Sequence, residues 1–527
     1  MTMLRSLRFA VAFLIVASSL SARANVRLPK IFNSHMVLQR GLAAPVWGWA
    51  AVGEEVTVEF AGSKQTSTAD AKGRWEVRLA PQEANENGQT LTISGKNRIE
   101  LTNVLVGDVW ICSGQSNMEW SLNGVTNSQE EIAAANYPLI RLFDVPGHTT
   151  SPLPNDDVPG GQWSACSPDS SRNFSAVGYF FARRFHKETG IPVGLIGTNW
   201  GGTRIEPWTP PVGFRNVPEL KDLSAQVDRF DVTTDSGKAT WQAYLKQVDD
   251  WTSATRAKLQ NGEAVSQPPA VPGYTNGGDP TAIYNAMVHG LAPYGIRGAL
   301  WYQGESNGGE GVSYFHKMQA LIGGWRTVWN QKDFPIYFYY VQLANWQQPN
   351  DNPEGGDGWA RIRDAQTQSL TIPHTGMAVI TDIGEANDIH PRNKQDVGTR
   401  LARWALRDVA KQDVVVSGPL YREMKVDGGA IRLSFDHAGS GLIVGVKDGL
   451  KPTAADPNGT LKRFAIAGED RQWHWADAKI DGKTVVVSSK SVAKPVAVRY
   501  AWSMNPEGAN LYNAEGLPAS PFRTDEW

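Results

Sequence analysis

The sequence predicts an α/β protein, a parallel sheet flanked by helices with all-β modules on either side. Three observations lead there. Short alternating strands run from Val26 to about Asn103, and buried strands alternate with helical patterns from Val104 to about Ala410. Strand patterns then return from Asp413. Alternation of strand and helix implies a parallel sheet covered on both faces.

Before these elements lies a targeting pattern. Arg5 and Arg8 precede an apolar run from Phe9 to Leu20, and Ala22-Arg23-Ala24 forms an A-x-A cleavage site. Residues 1–24 therefore read as a secretory signal peptide. Its removal takes the net charge from −2 to −5. The expectation is an exported chain, periplasmic or secreted, with no membrane contact after signal removal.

In residues 25–103, alternation over 45–49, 56–60 and 75–79 with turns such as Ala71-Lys72-Gly73 predicts a β-sandwich module. From residue 104 the apolar runs 104–111, 139–145, 191–197, 297–302, 335–342 and 376–381 read as buried strands. Helices are expected over 314–329, 359–370 and 397–409. Another is expected between a Ser175 cap and a closing Gly190. Residues 211–280 break the alternation and read as an insertion, helical near 241–259. Residues 413–527 are expected to form a C-terminal β-domain, with the last part running back over the central domain.

Composition narrows the function. The chain has 527 residues with 51 basic and 53 acidic side chains, too balanced for a nucleic-acid partner. It has only two cysteines, Cys112 and Cys166, which the sequence leaves open as a disulfide or two buried thiols. No cluster has metal-ligand spacing, and neither a metal nor another cofactor is expected. Oligomeric state is not legible.

Four polar turns follow four predicted strands, at the sheet edge where ligands gather in open α/β folds. Gly114-Gln115-Ser116-Asn117 offers a serine nucleophile, although a Ser-Asn turn is commonly a helix cap. Gly201-Gly202 lets backbone N–H groups approach a ligand oxygen. In Trp301-Tyr302-Gln303-Gly304-Glu305-Ser306-Asn307, Gln303 offers an amide donor and Glu305 a carboxylate that could orient a histidine. Asp388-Ile389-His390-Pro391 offers a base. Together they supply every part needed for acyl transfer.

In this order the blocks, with Asp388-Ile389-His390-Pro391-Arg392-Asn393-Lys394 as the fourth, resemble the sialate O-acetylesterase family. That family belongs to the SGNH hydrolases, which remove acetyl esters from carbohydrates. The resemblance covers residues 104–410 and implies an SGNH-type parallel five-stranded sheet with accessory sandwich or jelly-roll domains. It implies Ser116 as nucleophile, His390 as base, and Gly202 or Gly201 with Gln303 as oxyanion donors. The superfamily's aspartate three residues before the histidine is Asn387 here, so the acid is Asp388, slightly favoured, or Glu305.

The implied substrate is an acetylated glycan, either a sialic acid or a plant cell-wall polysaccharide such as xylan or xyloglucan. Trp346 and Trp359, flanking a Pro/Asp/Gly loop, are the best candidate sugar contacts, followed by Trp200. Arg204 would suit a sialate carboxylate. The competing readings are a non-catalytic glycan-binding protein and a short-chain esterase of broad specificity.

Overall fold

The computed structural model describes residues 25–273 and 276–527. The expected signal peptide lies outside the described residues. The organising element is one long strand, β1 (Arg98–Gly114), of 17 residues. Its first half pairs antiparallel with Asn85–Ser94 of the N-terminal module. Its second half enters the central sheet. The expected module boundary at 103/104 thus falls inside a strand, at Asn103, which takes φ 57°.

The central sheet contains β1, β2 (Tyr137–Asp144), β3 (Val193–Asn199), β4 (Gly298–Tyr302), β5 (Tyr337–Val341) and β6 (Thr375–Ala378), in the order β6-β5-β4-β1-β3-β2. All neighbouring pairs among these are parallel, and Ser164–Cys166 adds an antiparallel edge. Six parallel strands replace the five implied by the resemblance. Chain order reverses about β1, so the crevice at its carboxyl end is where an open α/β sheet places its ligand.

Trp110 of β1 is fully buried, 5.0 Å from Phe181 of α1 (Ala176–Thr189). Ser175 caps α1 and Gly190 closes it in the left-handed conformation, as the sequence indicates. Trp301 on β4 lies level with Ser113, three residues beyond Trp110, and strand alternation turns it to the other face. There it meets Trp325 of α2 (Val312–Trp329) at 6.5 Å. α3 (Gly358–Gln368) packs beside α2, and α4 (Lys394–Asp408) beside α1. The last contact needs Gly398, because a Cβ there would stand 2.7 Å from the Val177 carbonyl oxygen.

One hydrophobic core runs through the N-terminal module and the central sheet. At their junction, the buried Asp108 carboxylate joins Arg40 (2.9 Å), Arg297 (3.0 Å) and the Gln39 amide (2.9 Å). A second core, with Ile431, Leu433, Val485, Val498 and Tyr500, belongs to the C-terminal sheets. The insertion carries a 26-residue helix, Asp235–Gln260. Past Trp502 the chain turns back onto the central domain. The buried Arg363 guanidinium donates to the carbonyls of Ser503 (2.7 Å) and Met504 (2.9 Å). The extreme end returns to the β-domain, where Phe522–Arg523 pairs with Pro495–Tyr500. Cys112 and Cys166 are both buried free thiols, so no disulfide forms. Among the described residues, no helix is long and apolar enough to cross a membrane.

Candidate active site

β1 ends at Gly114, whose φ is +135°. A Cβ at this position would lie 2.2 Å from the Tyr302 carbonyl oxygen, so only glycine lets β1 and β4 end this close together. Gln115 then joins the two turns. Its N–H donates to the Tyr302 carbonyl (3.0 Å), and its Oε1 accepts from the Ser306 N–H (3.2 Å). Ser116 opens the short helix Ser116–Glu119 immediately afterwards.

Ser116 Oγ lies 2.9 Å from His390 Nε2, and His390 Nδ1 lies 3.4 Å from Asp388 Oδ1. The same Asp388 oxygen accepts the His390 backbone N–H at 2.9 Å, which fixes the loop around the base. Trp120 stacks on the imidazole with centroids 4.9 Å apart. Burial, and then the Lys394 charge, lower the His390 pKa below 6.5, while Asp388 opposes the shift.

Glu305 stands differently. Its Oε1 accepts from Asn117 Nδ2 at 2.5 Å, and Oε2 is buried with no hydrogen-bond partner among the described residues. Asn117 also donates to the Ile389 carbonyl (3.0 Å) and accepts from Lys394 Nζ (2.5 Å). Burial pushes the Glu305 carboxyl above its usual range, against the Asn117 bond and the Lys394 charge. Burial pulls the Lys394 ammonium down to about 7, with Glu305 opposing. Thus Asp388 faces the His390 ring nitrogen, and Glu305 anchors the backbone on either side through Asn117.

The expected oxyanion donors divide. Gly201 packs on Ser116, with 3.3 Å from a would-be Cβ to the Ser116 Cβ. Its N–H, however, donates to Glu119 Oε2 at 2.7 Å, which removes Gly201 from the donor set. Gly202 adopts φ +74°, and none of the hydrogen bonds among the described residues uses its N–H. The Ser116 N–H, in the first turn of its helix, is likewise uncommitted. Gln303 corrects the expectation outright. Its Nε2 is surrounded by Asn307 Oδ1 (2.8 Å), Gln115 Oε1 (3.2 Å) and the Thr203 carbonyl (3.2 Å), and Tyr314 donates to its Oε1. An amide with two hydrogens has none left for a substrate.

Comparison with known proteins identifies related carbohydrate esterases. Residues 272–407 match the family described as carbohydrate esterase, sialic acid-specific acetylesterase. The chain is 29% identical to the sialate O-acetylesterase of Mus musculus over 98% of this chain and 97% of the mouse protein. The Homo sapiens sialate O-acetylesterase is 28% identical, covering 97% and 94%. A crystal structure of a carbohydrate acetylesterase from Xanthomonas citri is 36% identical, covers 95% of this chain and 100% of that one, and superposes with a TM-score of 0.77. The chain belongs to the sialate O-acetylesterase family. Its activity is that of a carbohydrate O-acetylesterase, a carboxylic ester hydrolase.

Among the expected sugar contacts of this family member, Trp359 is only 4% exposed, and its indole N–H donates to the Ala344 carbonyl. It is a packing residue, with Trp346, partly buried, 5.2 Å away. Trp200 stacks on His148 at 4.9 Å, and His148 bonds Glu119 at 2.8 Å. Arg204 is held by Glu206 (3.0 Å) and by Glu310, and Lys317 joins both carboxylates. Against the burial that would raise it, Lys317 and Arg204 hold the Glu206 pKa at about 2. The sequence assigns no role to Asn117 or Lys394, and it offers Trp120 only as one of several tryptophans that could stack on a sugar, whereas Trp120 stacks on His390. They lie within or beside the recognised blocks, but their role depends on burial that spacing does not reveal. Among the described residues, no group of three or more His, Cys, Asp or Glu side chains could hold a metal ion.

Proposed function

We propose that the protein is a serine esterase that releases acetate from O-acetylated carbohydrate through an acetyl-enzyme. The observation that carries this reading is the 2.9 Å contact between Ser116 Oγ and His390 Nε2 at the carboxyl end of β1. His390 takes the Ser116 proton as Oγ attacks the acetyl carbonyl. The Ser116 and Gly202 N–H groups receive the oxyanion, and Asp388 steadies the imidazolium. The carbon–oxygen bond to the sugar then breaks, and His390 passes its proton to the departing sugar oxygen. Water, deprotonated by His390, attacks the acetyl-serine, and acetate leaves as Ser116 recovers the proton.

Neutral acetylated glycans are the favoured substrates. Arg204, the cation a sialate carboxylate would need, is already held between two carboxylates. The test is acetate release from acetylated xylan, acetylated xyloglucan and O-acetyl sialosides, by the parent protein and Ser116→Ala. The reading expects neutral polymers to be preferred and Ser116→Ala to be inactive on all of them. Wild-type turnover by Ser116→Ala overturns the mechanism, and a preference for sialosides overturns the substrate. If Ser116→Ala still bound glycan while the parent released no acetate, the non-catalytic reading would replace this one.

A further inference from the structure

Although the chain has 20 tryptophans, only two are well exposed among the described residues. Trp475 and Trp527 are each 41% exposed, and both belong to the C-terminal β-domain. They flank the loop 351–356 that leads into α3. Trp475 donates its indole N–H to the Asp351 carbonyl at 3.1 Å. On the other side of the loop, Trp527 borders a cleft of about 500 Å³ between the β-domain and the central domain. Val312, 60% exposed, and Trp502 supply further apolar wall, while Arg361, Asp364 and Gln368 supply polar groups.

The cleft is built rather than incidental. Gly355 and Gly356 have φ values of +54° and +83°, and a Cβ on Gly355 would stand 1.8 Å from the Trp502 carbonyl oxygen. The loop can press onto Trp502 only with glycine there, and the Gly356 N–H then bonds that carbonyl at 2.9 Å. Arg361 is fixed at the rim by donating to the Gly356 carbonyl at 3.0 Å. Charges in the cleft balance. Arg499 is paired behind the wall with the buried Asp525 at 2.7 Å, which leaves the lining guanidinium groups of Arg361 and Arg523 against the carboxylates of Glu354 and Asp364. Apolar ring faces interleaved with planar donors and acceptors, without net charge, suit an uncharged pyranose chain better than an anion or an apolar peptide. The cleft is linked along the chain to the turn that bears Glu305. Gly311 and Val312 directly follow Glu310, which holds Arg204, and Glu305 lies on the same short turn.

We propose that this cleft is a non-catalytic subsite that holds the neutral glycan chain whose acetyl groups the Ser116 site removes. The proposal rests on the reading of a neutral polymeric substrate, and its test separates the two. Binding of deacetylated xylan and deacetylated xyloglucan, with polysialic acid as the charged control, is measured by affinity electrophoresis on the full chain. Because these probes carry no acetyl ester, their binding does not depend on turnover. The parent should be retarded by a neutral polymer and not by polysialic acid. Trp527→Ala and Arg361→Ala should each weaken that retardation about tenfold, with Trp527→Phe restoring most of it. Both variants should hydrolyse 4-nitrophenyl acetate like the parent, which also shows that they fold, while KM for an acetylated polymer rises. Parent-like binding by both variants, or retardation by polysialic acid alone, overturns the cleft. Loss of acetate release from neutral polymers by the parent itself overturns the substrate reading instead.

Discussion

Two turns at the same sheet edge, the His390 loop and the turn after β4, are built to opposite specifications. Apart from the unpartnered Glu305 Oε2, the turn after β4 is a filled polar lattice. Gln303 and Asn307 use their amides on one another and on Gln115, Glu206 and Glu310, and Tyr314 closes the remaining acceptor. The His390 loop is lightly tied. Asp388 reaches the imidazole at only 3.4 Å and its side chain is one-third exposed. The difference separates two tasks. A buried, satisfied network fixes geometry, whereas a base that exchanges protons with serine, sugar and water needs an accessible ring with one orienting partner.

The largest expected effect falls on the lightly tied side. His390→Ala should lower kcat for acetate release about ten-thousand-fold with little change in melting temperature. Asp388→Asn should cost about 100- to 1,000-fold, short of a fully buried triad aspartate because its contact is long and partly solvated. Glu305→Gln, which keeps an oxygen for Asn117, should lower kcat by less than about tenfold. If Glu305→Gln proves more damaging than Asp388→Asn, the division between the two turns is reversed. Gln303→Leu should destabilise the fold by about 1–3 kcal/mol in chemical denaturation, yet leave kcat within about tenfold. A 100-fold loss of kcat at unchanged stability would return Gln303 to the oxyanion site.

The smallest expected effect is in the pH profile. The reaction needs neutral His390, and burial together with Lys394 lowers its pKa, so the acid limb of kcat/KM should have its midpoint below 6.5. Lys394→Met removes one of the lowering influences, and the limb should move toward higher pH. A limb that stays in place or moves lower would show that Lys394 does not act on the base.

Much of this was legible in the sequence. Buried apolar runs located the six parallel strands of the central sheet but not the edge strand Ser164–Cys166, and the Ser175 cap and Gly190 closure fixed α1 at both ends. Four glycine-bearing turns marked the site because backbones converge there, as the Gly114–Tyr302 approach shows. Other features depend on three-dimensional partners that spacing cannot express. The sequence identifies Gln303 as an amide after a strand, but not that three acceptors surround it. It also marks Trp346 and Trp359 beside a polar loop, although the loop folds away from Trp359 and leaves it in the core. Glu305 and Asp388 are interchangeable as letters, and only their distances from His390 Nδ1 and Asn117 distinguish them.

The long strand β1 bears on how the chain can be divided. Its first half is walled by the N-terminal module, its second half is the middle of the parallel sheet, and its last residue precedes the Gln115-Ser116 turn. A cut at 103/104 would therefore not release a spare part. It would shorten the beam on which the nucleophile is mounted and strip the Arg40 partner from Asp108. The N-terminal module is part of the esterase's foundation, whereas the C-terminal β-domain, with a core of its own, is joined to it more as a neighbour.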